Sequence, residues 1–487
     1  MPYAGIRGPM HFNIRLRSYF NIIFAAGLMT AGAFSPLAIV HANAQMTFYV
    51  ATTGNNSNNG TSAGSAFATI TFAATQTKPG DTVLVEDGTY HLPNGSFRGD
   101  AAIASSGMAD KRTTYKAMNK WKAKLIGAGT GDGSVVIGVS GSYNVIQDFD
   151  ITGTDAGGIN LATAGTTTSY NQAIGNYVHD IVAPCDGNGG VAINSGGGDN
   201  YNPGVGHMDI LSNMVVNVTD PQGCSAPHGA GIFAAIPYTL IANNIIINGG
   251  HWAIESWHNA HHETYFGNVI LNSKQSITMG AGDSPFTGTV DDFSLVQNNI
   301  VFNSSMTAIA ETGRTGSHNQ YIDNLVFGGN TTISLNNGLK ATGTVNADPM
   351  FVNNTGTATG NYEVQAASPA RGTGLALPGV LTDFEGASRP QTGQTVIGAC
   401  LGVGTTTGTG SGTVAAGIRA SATSITSGQS SVLTWTTQNA VEATLNGTPV
   451  ALNGSTTVQP TATTTYKILG TSSTGTTDWG SATVTVQ

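Results

Sequence analysis

A short pattern of apolar residues around a central asparagine recurs through the middle of the chain. Its central residues are spaced 37, 31, 24, 31 and 25 residues apart, and they are Asn176, Asn213, Asn244, Asn268, Asn299 and Asn324. Stacked coils place equivalent residues about 4.8 Å apart, so identical asparagine amides can hydrogen-bond along a row. Because each coil buries apolar side chains only against its neighbours, the repeat predicts an all-β solenoid, a parallel β-helix. A β-sandwich has similar strand spacing but does not explain the matched asparagines.

Three further observations extend this register. Asp148 lies 28 residues before Asn176 and is predicted to begin the asparagine row. Four residues after the first five central asparagines comes a second polar row, formed by Asp180, Asn217, Asn248, Asn272 and Asn303. A row of isoleucines predicts a second strand in each coil, anchored by Ile193, Ile232, Ile254, Ile277, Ile309 and Ile333.

Two neighbouring coils carry an insertion that contains a cysteine. The distance from the central asparagine to the isoleucine is 17 and 19 residues in these two coils, against 9 or 10 in the others. Cys185 lies eight residues before Ile193, and Cys224 lies eight before Ile232. The equal offset brings the two cysteines close to the Cα separation of about 5.5–6 Å that a disulfide prefers. We therefore predict a Cys185–Cys224 disulfide, which leaves Cys400 as a free thiol.

The first 44 residues have the pattern of an export signal. Arg7, Arg15 and Arg17 precede an apolar run over residues 19–40, and Ala42-Asn43-Ala44 then forms a small-x-small cleavage site before Gln45. A membrane anchor is the alternative, but Gly27, Gly32 and Pro36 interrupt the run. We therefore expect a bacterial protein that is secreted to the extracellular space or the periplasm.

Charge and composition restrict the partners of the chain. Only 9% of the 487 residues are charged, 40% are hydrophobic and 66 are glycine, which argues against disorder. The formal net charge is −9 and no basic run is present, which argues against nucleic acid as a partner. We expect a monomer without a transmembrane segment after cleavage.

The ends of the repeat region resemble those of bacterial right-handed parallel β-helix proteins of the pectate-lyase-like superfamily. The opening match includes Phe48-Tyr49-Val50, Asn58-Asn59-Gly60-Thr61, Phe67-Ala68-Thr69-Ile70 and Pro79-Gly80-Asp81-Thr82-Val83. In that family a short helix covers the open end of the solenoid, which implies a helix near residues 69–77. The closing match resembles the last coils of the group and includes Asp348-Pro349-Met350-Phe351, Arg389-Pro390 and Ile397-Gly398-Ala399. The resemblance implies one right-handed β-helix domain over residues 45–401, on a fold that hosts lyases, hydrolases, epimerases and adhesins.

A second, small domain is predicted at the carboxyl end. Residues 402–414 are rich in Gly, Thr and Ser and read as a flexible linker. Residues 415–487 contain alternating strands, and the stretch 460–466 resembles that of small bacterial immunoglobulin-like modules. Trp435 lies on one of these strands and is predicted to be a core residue rather than a sugar platform.

Aligning the coils on the isoleucine row predicts a column of functional side chains. Three or four residues before the isoleucine stand His228, His251 and Lys274. One residue after it stand Asn194, Phe233, Glu255 and Thr278, which should point outward because the isoleucine points inward. Further along the coils come Trp257, His258, Glu311 and Arg314.

These residue types suit cleavage of an acidic, uronate-containing polysaccharide by β-elimination. Such a lyase neutralises the sugar carboxylate, removes the neighbouring carbon-bound proton and protonates the leaving oxygen. We expect Lys274 or His251 as the base, Arg314 as the carboxylate clamp and His228 in the same catalytic set. Trp257 is expected to stack on a sugar and Glu255 to bind sugar or a metal, with Ca²⁺ as the candidate ion. The remaining expected substrate contacts are His258, Asn194, Phe233 and Glu311.

Two other functions stay open on the sequence. A glycoside hydrolase would use two carboxylates, here Glu255 and Glu311, but they lie two coils and thus about 10 Å apart. A non-catalytic binding or adhesion protein would also suit a polar solenoid with an immunoglobulin-like tail. The sequence does not identify the polysaccharide, the need for calcium or the role of the tail.

Overall fold

The computed structural model describes most of the chain after residue 44. The described residues are 45–95, 101–129, 134–163, 167–183, 185, 190–196, 206–221, 224, 228–283, 286–377, 379–390, 393–401, 415–420, 424–438, 440, 442–450, 454–471 and 477–487. The predicted export signal (1–44) and the predicted linker (402–414) lie outside the described residues.

Residues 47–334 form a right-handed parallel β-helix with three sheets, as predicted. Each full coil contributes one strand to each sheet in turn. Sheet 1 consists of Thr47–Val50, Thr82–Val85, Thr113–Ala117, Asn144–Gln147, Gln172–Ile174, Asp209–Leu211, Leu240–Ala242, Thr264–Phe266, Leu295–Gln297 and Gln320–Ile322. Sheet 2 consists of Gly88–Gly95, Ala123–Gly129, Asp150–Thr154, Tyr177–Val182, Met214–Thr219, Ile245–Ile247, Val269–Leu271, Ile300–Ser304 and Leu325–Gly329. Sheet 3 consists of Ala101–Ile103, Val135–Val139, Gly157–Asn160, Val191–Asn194, Ala230–Ala234, Trp252–Ser256, Gln275–Met279, Thr307–Glu311 and Ile333–Ser334.

The predicted asparagine row lies at the turn between sheets 1 and 2. Asparagine side chains of neighbouring coils are hydrogen-bonded to each other. Nδ2 of Asn213 donates to Oδ1 of Asn244 over 3.0 Å, and Nδ2 of Asn244 donates to Oδ1 of Asn268 over the same distance. The same Nδ2 atoms donate to strand carbonyls of the preceding coil, as Asn244 does to Ile210 over 2.9 Å. All six side chains are fully buried. The row therefore satisfies turn amides that water cannot reach.

The start of this row differs by one residue from the prediction. Pairing of the sheet 1 strands aligns Ile146 with Ala173, which places Phe149 beside Asn176. The backbone N–H of Phe149 donates to Oδ1 of Asn176 over 3.1 Å. Asp148 instead occupies the preceding turn position, with a left-handed φ of 64°. The prediction that Asp148 begins the row was therefore wrong.

The other two predicted rows are present. In the second polar row, Asn217 donates to Asp180, Asn248 donates to Asn217 and Asn303 donates to Asn272. The isoleucine anchors pair in register through all six coils and are buried in one continuous core, apart from the partly buried Ile333 at its end. The two inserted loops join sheets 2 and 3, and Cys185 and Cys224 form the predicted disulfide with a Cα–Cα distance of 5.5 Å. Cys400 is free and buried.

A helix closes the amino-terminal end of the solenoid. The α-helix Ile70–Gln76 begins after Thr69, whose side chain accepts a hydrogen bond from the N–H of Phe72, and Ala63–Ser65 form a short 3-10 turn before it. Ile70, Ala73 and Ala74 join the main core, so the helix covers apolar surface that the first coil would expose. This confirms the helix that the family resemblance implied.

The segment after the last coil does not continue the solenoid. It contains two short antiparallel pairs, Phe351–Asn353 with Asn361–Val364 and Gly374–Leu375 with Gln394–Thr395. Its apolar side chains pack against the outer face of sheet 2 in a separate core, which includes Ile245, Val269, Ile300, Phe351 and Ile397. The expectation that residues 348–399 form the last coils is therefore wrong; these residues cover a sheet instead.

Residues 415–487 form two further sheets of their own. One contains Ala415–Ala420, Ser431–Gln438 and Gly454–Val458, and the other contains Ser424–Ile425, Glu442–Leu445, Thr448–Val450, Thr464–Thr471 and Thr477–Val486. Trp435 is 5% exposed and packs with Ala443 and Ile468, as predicted for a core residue. The immunoglobulin-like relation of this region stays a prediction.

Candidate functional site

The outer face of sheet 3 carries the predicted row beside the isoleucines. Asn194 pairs with Phe233, Phe233 with Glu255 and Glu255 with Thr278 in successive coils. Each is offset by one residue from a buried isoleucine, and none belongs to the main core. The row therefore places a different side chain on the outer side of each coil; Thr278 is buried there, with its hydroxyl bonded to Gln275, and the other three are partly exposed.

The three basic residues His228, His251 and Lys274 come together at the start of the sheet 3 strands; we call them the basic cluster. The N–H of His251 donates to the carbonyl of Gly229, next to His228, and both Lys274 and His228 lower the pKa of His251. Lys274 and His228 are exposed and His251 is partly buried. Lys274 also lines a cleft of about 430 Å³ with Asp220, Cys224, Asn248 and Asn272, so the disulfide loops and the second polar row form its walls.

Burial keeps the imidazole of His251 neutral. Its pKa is lowered, first by desolvation and then by the charge of Lys274. Nε2 lies 3.3 Å from Nε2 of Gln275, whose side-chain oxygen accepts from Oγ1 of Thr278. Because the Gln275 amide nitrogen can only donate, this contact makes Nε2 of His251 the acceptor and assigns the proton of the neutral ring to Nδ1, which is buried without a hydrogen-bond partner among the described residues. A neutral histidine beside an exposed ammonium can take a proton from a bound acid.

Glu255 is a mostly buried carboxyl between the ends of the strand. Desolvation raises its pKa to about 8. Its side chain forms no hydrogen bond or ion pair with any residue that the structure describes. It is four residues and thus about 13 Å along the strand from His251, too far for direct proton transfer between them. Glu255 is thus a protonated side chain at neutral pH that can donate a hydrogen bond to a sugar.

Trp257, His258 and Arg314 come together beyond the other end of the strands. The Trp257 indole lies over two glycines of the following coils, Gly280 and Gly313. Nδ1 of His258 lies 2.8 Å from Oδ2 of Asp283, and its ring contacts that of Phe233 edge-on. The predicted column is therefore divided into three parts: the basic cluster, the row that contains Glu255, and the group of Trp257, His258 and Arg314.

Glu311 lies inside the solenoid and not in the outer groove. It pairs with Met279 on the inward face and is 6% exposed. Its carboxylate accepts hydrogen bonds from the hydroxyl of Tyr321 over 2.7 Å, from Nδ2 of Asn319 and from the N–H of Asn336. A carboxylate held in this way does not contact a polymer on the outer face, so we leave Glu311 out of the proposed site.

Glu311 belongs to a larger buried polar network that was not apparent from the sequence. Ser256 and Ser294 both donate to Asp291, whose pKa burial raises to about 7. Glu263 is fully buried against the hydroxyl of Tyr265, and desolvation raises its pKa well above its usual value. Asp291 and Glu263 are buried and do not lie on the outer face of sheet 3.

An aromatic row was also missed. Seven rings stack at the turn into sheet 1, with neighbouring centroids 4.4 to 5.0 Å apart: Tyr143, Tyr170, His207, Tyr238, His262, Phe293 and His318. Each ring contacts its neighbours in the row, although Tyr238, Phe293 and His318 remain exposed. We interpret this row as structural.

The described residues offer no ready metal centre or membrane span. Among them, no group of three or more His, Cys, Asp and Glu is arranged to hold a metal ion. Over the same residues, no helix combines the length and the apolar character that crossing a membrane requires.

Comparisons with known proteins give only distant structural matches. No family model and no curated protein matches the sequence. The structure of XylC with xylose matches with 11% identity and a TM-score of 0.39, covering 73% of this chain and 98% of that one. A mannuronic acid-specific polysaccharide family 6 lyase from human gut microbiota matches with 16% identity and a TM-score of 0.33, covering 58% and 54%. An alginate lyase from Paenibacillus matches with 15% identity and a TM-score of 0.31, covering 57% and 96%. At these values the matches do not bear on the activity of this chain.

Proposed function

We propose that this protein is an exported polysaccharide lyase that cleaves an acidic, uronate-containing polysaccharide by β-elimination. The observation that carries the proposal is the basic cluster, in which His251 is neutral and adjacent to the cation of Lys274. The chain has 18 lysines and arginines and 11 histidines among 487 residues, and three of these basic residues come together at the start of the sheet 3 strands. Lys274 lines the cleft together with Asp220, and its exposed ammonium can bind a carboxylate of an acidic polymer.

Each residue of the cluster has a role in this reaction. Lys274 neutralises the uronate carboxylate, which acidifies the neighbouring carbon-bound proton. Nε2 of His251 accepts that proton. The electron pair of the broken C–H bond then forms the double bond as the C–O bond to the leaving oxygen breaks. His228, which is exposed and close to His251, donates a proton to the leaving oxygen. Proton removal and proton donation are thereby assigned to different side chains.

The Gln275 amide positions the base in this scheme. Its contact with His251 fixes which ring nitrogen carries the proton before substrate binds. It must give way when Nε2 takes the substrate proton, and its 3.3 Å length makes it a weak contact. Gln275 is therefore a positioning residue and not a catalytic one.

The experiment that tests the proposal is a polymer panel. The purified protein is incubated with pectate, alginate and glycosaminoglycans, each with added calcium and with a chelator. A lyase releases products with an unsaturated sugar at the new non-reducing end, which absorb in the ultraviolet. New reducing ends without this absorbance would indicate a hydrolase, and polymer binding without either signal would indicate a binding protein; both results would overturn the proposal.

A further inference from the structure

Three glycines make room for two large side chains on the outer surface beyond sheet 3. A Cβ on Gly280 would lie 2.8 Å from Cζ3 of Trp257, and one on Gly313 would lie 2.5 Å from Cη2 of the same indole. A Cβ on Gly282 would lie 2.5 Å from Cδ of Arg314. Real Cβ atoms do not approach side chains this closely. The benzo ring of the indole, through Cε3, Cζ3 and Cη2, and the arginine stem, through Cγ and Cδ, thus both pack closely against backbone.

The two side chains lie beside each other. Trp257 and Gly280 are at the same level of adjacent coils, because Glu255 pairs with Thr278 two residues earlier. Arg314 and Gly282 also lie at the same level of adjacent coils, because the N–H of Arg314 donates to the carbonyl of Ala281. This level is two residues further along the chain than that of Trp257 and Gly280. Two residues of extended chain span about 7 Å. Trp257 reaches along the solenoid axis towards Gly313, and Arg314 reaches back towards Gly282, so the indole and the guanidinium stem run side by side.

Both groups remain accessible to a ligand. Trp257 is partly exposed and Arg314 is exposed. The guanidinium forms no hydrogen bond or ion pair within the part of the chain that the structure describes. A partly exposed indole whose benzo ring is held on glycines offers a surface for the apolar face of a sugar ring, and a guanidinium binds a carboxylate with two parallel hydrogen bonds.

The geometry points to a uronate-binding subsite formed by Trp257 and Arg314, separate from the basic cluster. The assignment of a uronate rests on the proposed function, whereas the sugar platform rests on the glycine floor. Lys274 and Gly280 are six residues apart, about 20 Å of extended chain. A polymer that spans both sites must therefore be several sugars long and lie across the strands' outer face, past Glu255.

Calorimetric binding tests the subsite without requiring turnover. The ligands are size series of mannuronate and galacturonate oligomers, with uncharged mannose oligomers for comparison. Arg314→Ala is expected to weaken binding of the long acidic oligomers about tenfold, which is about 1.4 kcal/mol, and to leave the uncharged series unchanged. Trp257→Ala is expected to weaken both series. Trp479→Ala and Lys340→Ala remove an exposed tryptophan and an exposed lysine elsewhere and serve as matched controls.

The outcomes separate the subsite from the lyase proposal. Loss of binding in both variants without any cleavage by the wild type would support the subsite and overturn the lyase. Cleavage with an unchanged KM for long oligomers in both variants would overturn the subsite and leave the lyase. Absence of binding to both acidic series by the wild-type protein would also overturn the subsite. Arg314 is exposed, so circular dichroism should report a folded variant even where Trp257→Ala proves unstable.

Discussion

Two regions of the same coils differ in how they use the repeat. At the turn between sheets 1 and 2, six successive coils place the same asparagine, fully buried, with each amide bonded to the next. On the outer face of sheet 3, successive coils place Asn194, Phe233, Glu255 and Thr278 in one row. Identical side chains make one stabilising interaction many times, whereas a row that changes in each coil can build a site. In this solenoid, a row of identical side chains is structural, and a row whose side chain changes from coil to coil is a candidate functional site.

The strongest test of this contrast is His251→Ala. If the changing face holds the base, kcat on the substrate identified by the panel should fall about 10²- to 10⁴-fold, because general base catalysis contributes that much. The melting temperature should change little, since the ring is only partly buried and loses just its 3.3 Å contact with Gln275 and its contact with the Trp252 ring. His91→Ala, at an exposed histidine outside the cleft, is the control. A His251→Ala enzyme with unaltered kcat would remove His251 from the mechanism.

The opposite result is expected for Asn244→Ala in the asparagine row. The change removes the acceptor for Asn213 and the donor to Ile210 and Asn268, all of them buried. Leaving two or more such groups unpaired should cost about 4 kcal/mol, because each unsatisfied group costs about 1–3 kcal/mol. Denaturant unfolding measures this loss. Asn354→Ala, at an exposed asparagine that accepts one backbone hydrogen bond, should cost far less.

Activity per folded molecule sharpens the same comparison. We expect it to be unchanged in Asn244→Ala at a temperature where the variant is folded. A normal stability together with a lost activity would reverse the roles of the two regions.

Sequence reasoning was reliable where a side chain repeats and less so where it does not. The rows fixed the coil register well enough to pair Cys185 with Cys224, because a disulfide needs only equal offsets in adjacent coils. Asp148 was misplaced by one residue because the first coil of the row has a phenylalanine, Phe149, where the others have asparagine. The alternation that puts Glu255 outside should have put Glu311 inside, since it lies two residues after the buried Ile309.

The parts of the site that do not repeat could not be predicted from the sequence, for a physical reason. Asp283 and the glycines under Trp257 act through contacts between coils whose loops differ in length, so no fixed spacing reveals them. The only available signal was Gly280-Ala281-Gly282 directly after a strand. Residues 348–399 cover sheet 2 because outward-facing residues of that sheet, such as Ile245 and Ile300, are apolar. In the sequence these residues look the same as the inward-facing apolar residues of the same strands.

The interior acids beneath the changing face should make stability depend on pH. Burial raises the pKa of Asp291 to about 7 in the folded protein, while an unfolded aspartate titrates near 3.9. The folded state then binds more protons than the unfolded state between these values, so stability is full below about pH 4 and falls as the pH rises towards 7. Each such group contributes a slope of at most about 1.4 kcal/mol per pH unit.

Asp291→Asn isolates this contribution. The variant should lose less stability than the wild type between pH 4 and pH 7, as measured by thermal or denaturant unfolding at several pH values. Asp348→Asn, at an exposed position outside the network, should keep the slope of the wild type. An identical slope in Asp291→Asn would mean that this carboxyl is not protonated in the interior.

The smallest expected effect tests whether the basic cluster is a single electrostatic unit. Burial is the larger cause of the lowered pKa of His251 and the charge of Lys274 is the second. Lys274→Met should therefore raise this pKa but leave it below the ordinary histidine value of about 6.5, because the larger cause, burial, remains. Titration of the imidazole by NMR measures the shift without substrate, so it does not depend on the loss of activity that the same change should cause. Lys340→Met should produce no shift; if Lys274→Met also produces none, the ammonium is not adjacent to the ring, and the two residues cannot act on one sugar.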